Sequence, residues 1–124
     1  MAISVASRKS KGRALQQFVR DSIIDLLKPY GVVADDVRST SMGASGEDVQ
    51  LSPLAKRLLP VSVECKSHKA MAIYTWWSQC LSNTKAGERP LLVIKINQKK
   101  PLAVMDYQDY IELERVRLKH DKVP

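Results

Sequence analysis

Cysteine is scarce in this chain. Cys65 and Cys80 are its only two, each on the apolar side of its segment, and two lone thiols point to a reducing compartment rather than a disulfide scaffold. A zinc site drawn from Cys65, His68, Cys80 and His120 lacks the paired close spacing of zinc motifs. Long apolar runs are missing too. None approaches the roughly 20 residues that span a bilayer, and the opening residues have no apolar core of the kind a secretory signal carries. The expectation is a cytoplasmic protein without a membrane anchor. Internal repeats and low-complexity segments are also absent. Acid is the last scarcity: 13 Asp and Glu against 20 Lys and Arg leave a net charge of +7 and a pI near 9.6. Such a surplus favours a polyanionic partner, through counterion release and electrostatic steering.

What is present has the make-up of one globular domain over residues 1–124. With 44% hydrophobic and 27% charged residues, the chain is long enough to bury about two-thirds of the surface it exposes unfolded. Residues 1–11 are basic and free of acid, the pattern of a flexible DNA-contacting arm or of a weak transit peptide, and Lys11-Gly12-Arg13 leading directly into a helix favours the arm. From Lys11 to Lys28, Leu15, Phe18, Val19, Ile23, Leu26 and Leu27 recur at helical spacing, and Pro29 and Gly31 stop the run. Gln16 falls at the edge of that stripe, placed either to reach the sheet beneath or to sit solvated at the boundary. Val32 to Ser39 reads as a strand interrupted by Asp35-Asp36, a pair that a turn explains as well as a ligand role does. Thr40 to Gly46 is a small-residue loop of a kind that suits a phosphate backbone.

Glu47 to Leu51 predicts a second strand with Asp48 and Gln50 on one face and Val49 and Leu51 on the other. Ser52-Pro53 opens a short helical segment that ends at Pro60. Pro60 to Lys66 alternates as a third strand, with Val61, Val63 and Cys65 toward a core and Ser62, Glu64 and Lys66 outward. Ala70 to Asn83 predicts a second long helix whose buried stripe is Ile73, Trp76, Trp77, Cys80 and Leu81. On that ground both tryptophans are expected in the core rather than stacked on bases. Gln79 lies one step off the stripe, within reach of the same site as Gln16. Pro90 to Asn97 is a nearly continuous apolar strand, as in a sheet covered on both faces. Pro101 to Asp106 returns from it as a hairpin, and residues 107–119 form a C-terminal helix.

The informative stretch is Gly46 to Lys66. Consecutive strands tend to be neighbours, so Asp48 on the second strand meets Glu64-Cys65-Lys66 on the third. Two carboxylates and the backbone carbonyl of Cys65 suffice for a hard divalent ion, which keeps several waters. A lysine beside them can orient or deprotonate a water, or steady charge on a scissile phosphate. By itself an acid-x-lysine on a strand is a common solvated ion pair. The partner Asp48, the order of elements, the net charge and the two glutamines single this one out.

Asp48, Glu64 and Lys66 match the three signature positions of the PD-(D/E)xK nuclease superfamily, which this chain resembles. Within it, the chain is similar to the archaeal and phage-type Holliday junction resolvases. Lys11-Gly12-Arg13-Ala14-Leu15-Gln16, the run from Gly43 to Ser52, and Val63-Glu64-Cys65-Lys66 resemble small phage and prophage endonucleases of this type. The resemblance covers roughly Lys11 to Asn97.

It implies an α/β fold: a restriction-endonuclease-like α-β-β-β-α-β core on a mixed central sheet, with an extra strand and the C-terminal helix added. It also implies a Mg2+-dependent endodeoxyribonuclease, with Mn2+ as substitute and no organic cofactor. The enzyme so implied acts as a homodimer on four-way or branched DNA; the alternatives are another nuclease on the same fold, for nicking, repair or replication, or a DNA-binding module without catalysis in which the acid-x-lysine is a structural ion pair. Its catalytic residues are Asp48, Glu64 and Lys66, to which the positions of Gln16 and Gln79 at the edges of their helical stripes add two candidates, and its expected metal ligands are Asp48, Glu64 and the Cys65 carbonyl. Phosphate contacts are expected from Arg8, Lys9, Lys11, Arg13, Ser39, Ser41, Ser45 and Lys69. Two departures stand out. Gln16 occupies the position where those resolvases carry a glutamate, and Glu47-Asp48 replaces Pro-Asp.

Overall fold

A computed structural model describes residues 5–40, 46–67 and 71–121, with side chains from Ser10 onward. It divides into two compact units, residues 1–68 with 118–124 and residues 69–117.

The first unit is organised on α1 (Val5–Leu27). Val19, Ile23, Leu26 and Leu27 are buried along one side of it, and at about 100° per residue they share a single stripe with Gln16. Phe18 falls well outside that arc and is 50% exposed, so the predicted stripe is narrower by that residue. The helix begins at Val5. The flexible arm predicted over 1–11 is therefore corrected for residues 5–11, whose backbone is helical; Ala, Arg and Lys are strong helix formers, and no Pro or Gly interrupts them before Gly12. At the other end a 3-10 turn, Lys28–Tyr30, closes on Gly31. Gly31 has φ of 94° and donates its N–H to the Lys28 carbonyl at 3.2 Å, a left-handed stop that glycine permits without steric cost.

The predicted strand from Val32 is cut to β1 (Val37–Ser39) because Ala34–Asp36 forms a second 3-10 turn. The Asp36 carboxylate accepts the Val33 N–H at 2.8 Å, and a short polar side chain that bonds nearby backbone in this way competes with strand pairing. That bond, aided by one from the Ser52 side chain, holds the Asp36 carboxyl below its ordinary value of 3.8. A carboxyl depressed by folding contributes stability that is full above the unfolded-state value and lost as pH falls through the folded-state value. Asp36→Asn is therefore expected to lose less stability than wild type between pH 7 and pH 3, measured as the shift in urea midpoint.

β2 (Val49–Leu51) pairs antiparallel with β1 in the register Val37 with Leu51, Arg38 with Gln50 and Ser39 with Val49. α2 (Pro53–Leu58) follows at once. Ser52 caps it by accepting the Ala55 N–H at 3.2 Å, and Pro53 occupies the first turn, where its missing N–H costs nothing. Val37, Val49, Ala55, Leu58 and Leu59 complete the core of this unit with the α1 stripe, Val32 and Leu118. The expected third strand is reduced to a single antiparallel bridge, Val63 with Val49.

The second unit contains α3 (Ala72–Ser82), β3 (Leu91–Ile94), β4 (Leu102–Met105) and α4 (Tyr107–His120) up to Arg117. β3 and β4 form the predicted hairpin, Leu91 opposite Met105 through Ile94 opposite Leu102. Asp106 caps α4, its carboxylate accepting the N–H groups of Gln108 and Asp109.

Three expectations are corrected here. The strands of the described residues make two separate antiparallel pairs, not one mixed sheet. Leu91 and Val93 are exposed, so β3 is not covered on both faces. No residue of α3 is fully buried: Ile73, Trp77 and Cys80 are half-buried, whereas Trp76 and Leu81 are exposed. The apolar pattern of this unit exceeds what its few elements bury.

Candidate active site

Asp48 stands at the entry to β2 and is fixed from three directions. Its N–H donates to the Val63 carbonyl at 2.9 Å. Its carbonyl accepts the N–H of Thr40 at 3.0 Å and the Thr40 hydroxyl at 3.1 Å. Its carboxylate accepts the Cys65 N–H at 2.6 Å. The last bond explains why the third strand stops at one bridge. A ladder would aim the Cys65 N–H at a backbone carbonyl, and here a side chain takes it instead. Asp48 is thereby held against the peptide that joins Glu64 to Cys65.

Exposure alternates along that segment as strand geometry demands. Ser62, Glu64 and Lys66 are exposed, and Val61, Val63 and Cys65 are half-buried. Glu64 and Lys66 share a face and form an ion pair of 3.3 Å, with both side chains more than half exposed. A pair so exposed is worth about 0–1 kcal/mol, so either partner is readily given up to a ligand. Burial pushes the Cys65 thiol up, and the nearby charges of Asp48 and Glu64 push it further. Both carboxylates thus bear on one short piece of backbone.

Glu47 is disposed of differently. Lys56 of α2 holds both its carboxylate oxygens, at 3.0 and 2.9 Å, and also donates to the Val61 carbonyl at 2.7 Å. Lys56 thus ties the start of β2 to the chain leading into Glu64 and keeps Glu47 engaged. Nothing in the sequence pattern marks Lys56 for this work, since it reads as one more basic residue on a short helix.

Gln16 is 4% exposed, which overturns the solvated alternative and leaves it facing the sheet. Its side-chain oxygen accepts the Ser39 hydroxyl at 2.8 Å. Ser39 pairs in register with Val49, the residue after Asp48, so Gln16 stands behind the acid with one strand between. The Ser39 hydroxyl, a candidate phosphate contact, is spent on this inward bond. Arg20 reinforces the same seam, donating to the Val37 carbonyl at 3.0 Å. Lys11 and Arg13 are exposed on α1. Gln79 is exposed on α3, in the second unit. Ser41, Ser45 and Lys69, the side chains of Arg8 and Lys9, and the conjectured zinc ligand His68 lie outside the described residues.

Among the described residues, no three His, Cys, Asp or Glu side chains converge as a metal cluster. The donor set expected from the sequence is the Asp48 and Glu64 carboxylates and the Cys65 carbonyl, all oxygen, and hard ions that keep much of their water accept so small a set. One Asp48 oxygen is committed to the Cys65 N–H, which leaves the other for a cation. On this chemistry the residues fit a hard divalent ion.

A family model described as "Phage putative PDDEXK endonuclease" matches residues 9–121. No curated protein and no solved structure matches the chain. No described helix is long and apolar enough to cross a membrane.

Proposed function

Because this chain belongs to the phage PDDEXK endonuclease family, whose wider PD-(D/E)xK class generally uses divalent metal ions, we propose that it is a Mg2+-dependent endonuclease selective for four-way or branched DNA. Mn2+ would substitute for Mg2+. The observation that carries the reading is the bond from the Cys65 N–H to the Asp48 carboxylate. It joins the isolated acid to the Glu64-x-Lys66 pair by a fixed contact, which an incidental surface ion pair would not need.

Two carboxylates facing a phosphodiester would repel it, so the site calls for a cation between them. Asp48, Glu64 and the Cys65 carbonyl would hold it. When bound, the metal supplies Lewis-acid stabilisation and a more acidic water. Lys66, 3.3 Å from Glu64, can turn its ammonium to the charge that builds on the phosphate during hydrolysis. Gln16 acts from behind, bracing β1 through Ser39; as a neutral amide it brings no charge for a second metal. The net charge of +7 draws the polyanion in. Paired nicks across a junction call for two sites facing opposite strands, hence a homodimer.

Purified protein with Mg2+ is expected to cut labelled four-way junctions in preference to linear duplex of the same sequence. Equal cutting of the two would remove the junction assignment and leave a nuclease of another specificity; flap and nicked substrates run alongside would identify it. Lys66→Ala is expected to lower turnover by roughly 10²–10³-fold while junction affinity stays near wild type. A matching loss of affinity would show that Lys66 serves binding instead.

A further inference from the structure

The second unit holds a cavity of about 750 Å³, within the range of small-ligand pockets. One wall is Trp76, and the lining also includes Ile94 and Ile96. Lys95, Lys99 and Lys100 line it as well. The turn from β3 to β4, closed by the Lys99 N–H on the Ile96 carbonyl at 3.1 Å, brings the last two lysines to it. Trp76 is 50% exposed and Ile96 is 69% exposed. None of the three ammoniums has a carboxylate at ion-pair distance among the described residues.

An apolar hollow with an indole in its wall and three unneutralised cations suits a ligand that is flat and apolar on its faces and anionic at its edge. A second copy of the chain would bring more lysines to the same place, and a purely apolar partner would leave the ammoniums unanswered. An unpaired nucleotide answers both demands. Its base has a π-face that stacks on an aromatic side chain, and its phosphate meets the cations. In a duplex that face is covered by the neighbouring base pairs.

We propose that this pocket binds a nucleotide of single-stranded DNA, its base against Trp76 and its phosphates against Lys95, Lys99 and Lys100. The proposal rests on the reading of the chain as a protein that acts on DNA. It deepens that reading by assigning a preference for substrates with unpaired nucleotides, such as the open centre of a junction or a flap.

The test uses the full chain carrying Trp77→Phe, in which Trp76 is the only tryptophan, with EDTA present to prevent cleavage. Oligothymidylate is expected to quench the remaining emission saturably, and blunt duplex of equal length to quench it little. Trp76→Ala, followed by polarisation of a labelled oligothymidylate, is expected to weaken single-strand binding by about 5- to 150-fold. Its duplex affinity should stay unchanged, and Trp76→Phe should restore most of the loss. Replacing Lys99 and Lys100 together should flatten the salt dependence of single-strand binding by roughly 0.7 for each phosphate that is then left without its cation.

Unaltered single-strand affinity in Trp76→Ala would overturn the proposal. So would equal quenching by duplex, or emission that changes with protein concentration before DNA is added, which would mark the pocket as an interface between copies. Glu64→Ala separates this test from that of the proposed function. Loss of cleavage in Glu64→Ala beside unaltered binding in Trp76→Ala removes the pocket alone. Weakened binding in Trp76→Ala, in a protein that cuts no substrate, removes the nuclease alone.

Discussion

Asp48→Asn is expected to reduce metal-dependent cleavage by at least about 100-fold, while the protein stays folded and DNA affinity in EDTA is unchanged. The reason lies in the two tasks of one carboxylate. As a hydrogen-bond acceptor Asp48 holds the Cys65 N–H at 2.6 Å, and an asparagine oxygen can continue to do so. As an anion it would share a divalent cation with Glu64, and there the amide fails. Asp48→Ala removes both tasks. It leaves the Cys65 N–H without its acceptor, and it should add a loss of stability of about 1–3 kcal/mol to the loss of activity. Glu64→Gln is the matching case on the other side. Its carboxylate is more than half exposed and bonds only Lys66 among the described residues, so the change should abolish cleavage with no measurable effect on the urea midpoint. Full activity in both Asp48→Asn and Glu64→Gln would remove this site from the chemistry.

Leu27→Ala is expected to cost about 2–5 kcal/mol, a large share of the stability of so small a domain. Leu27 is 0% exposed and is the last residue of α1. It belongs to the stripe that contains Gln16, about three turns earlier in the same helix. Ile23, Leu26 and Leu27 hold down the helix from which Gln16 and Arg20 reach β1. Truncation removes the transfer energy of the side chain and leaves a cavity that the short β1–β2 pair is poorly able to collapse into. Urea unfolding followed by circular dichroism gives the value. Phe18→Ala supplies the contrast. At 50% exposure it should cost distinctly less, although the deleted side chain is larger. Equal costs would mean that the face of α1 is wrongly assigned.

Much of this architecture is legible in the residues, and the illegible parts share a cause. Helix periodicity locates the described helices to within a few residues, save that α1 begins at Val5, well before Lys11. Pro29, Gly31, Ser52 and Pro53 mark their boundaries by local chemistry alone. Strand alternation assigns the faces of Glu64 and Lys66 as their exposure has them, because period-two geometry follows from the backbone. Local pattern does not record which partner a polar group finds. Asp36 takes the Val33 N–H and shortens β1; Asp48 takes the Cys65 N–H and reduces the third strand to a bridge; Lys56 takes Glu47. Each is a side chain winning a bond that a ladder or solvent would otherwise have. The same limit governs Trp76, which sits on an apolar helical stripe and is nevertheless half exposed. Periodicity says which residues share a face and is silent on whether anything covers it.

That the described backbone is already helical at Val5 has a bearing on how the proposed nuclease would place its substrate. A tether of basic residues samples many distances from the acids, so it attracts a polyanion without locating it. A helix advances about 1.5 Å per residue and does not bend easily, so Lys11 and Arg13 stand at one offset along its axis from Gln16, the residue that anchors it behind Asp48. In the proposed nuclease their charges would then work as marks on a ruler. If the proposed reading holds, a phosphate seated on them would fix which bond of the backbone comes before Asp48 and Glu64. Lengthening the helix by a full turn between Arg13 and Gln16 would move that bond, whereas the same insertion in a loose arm would leave it where it was.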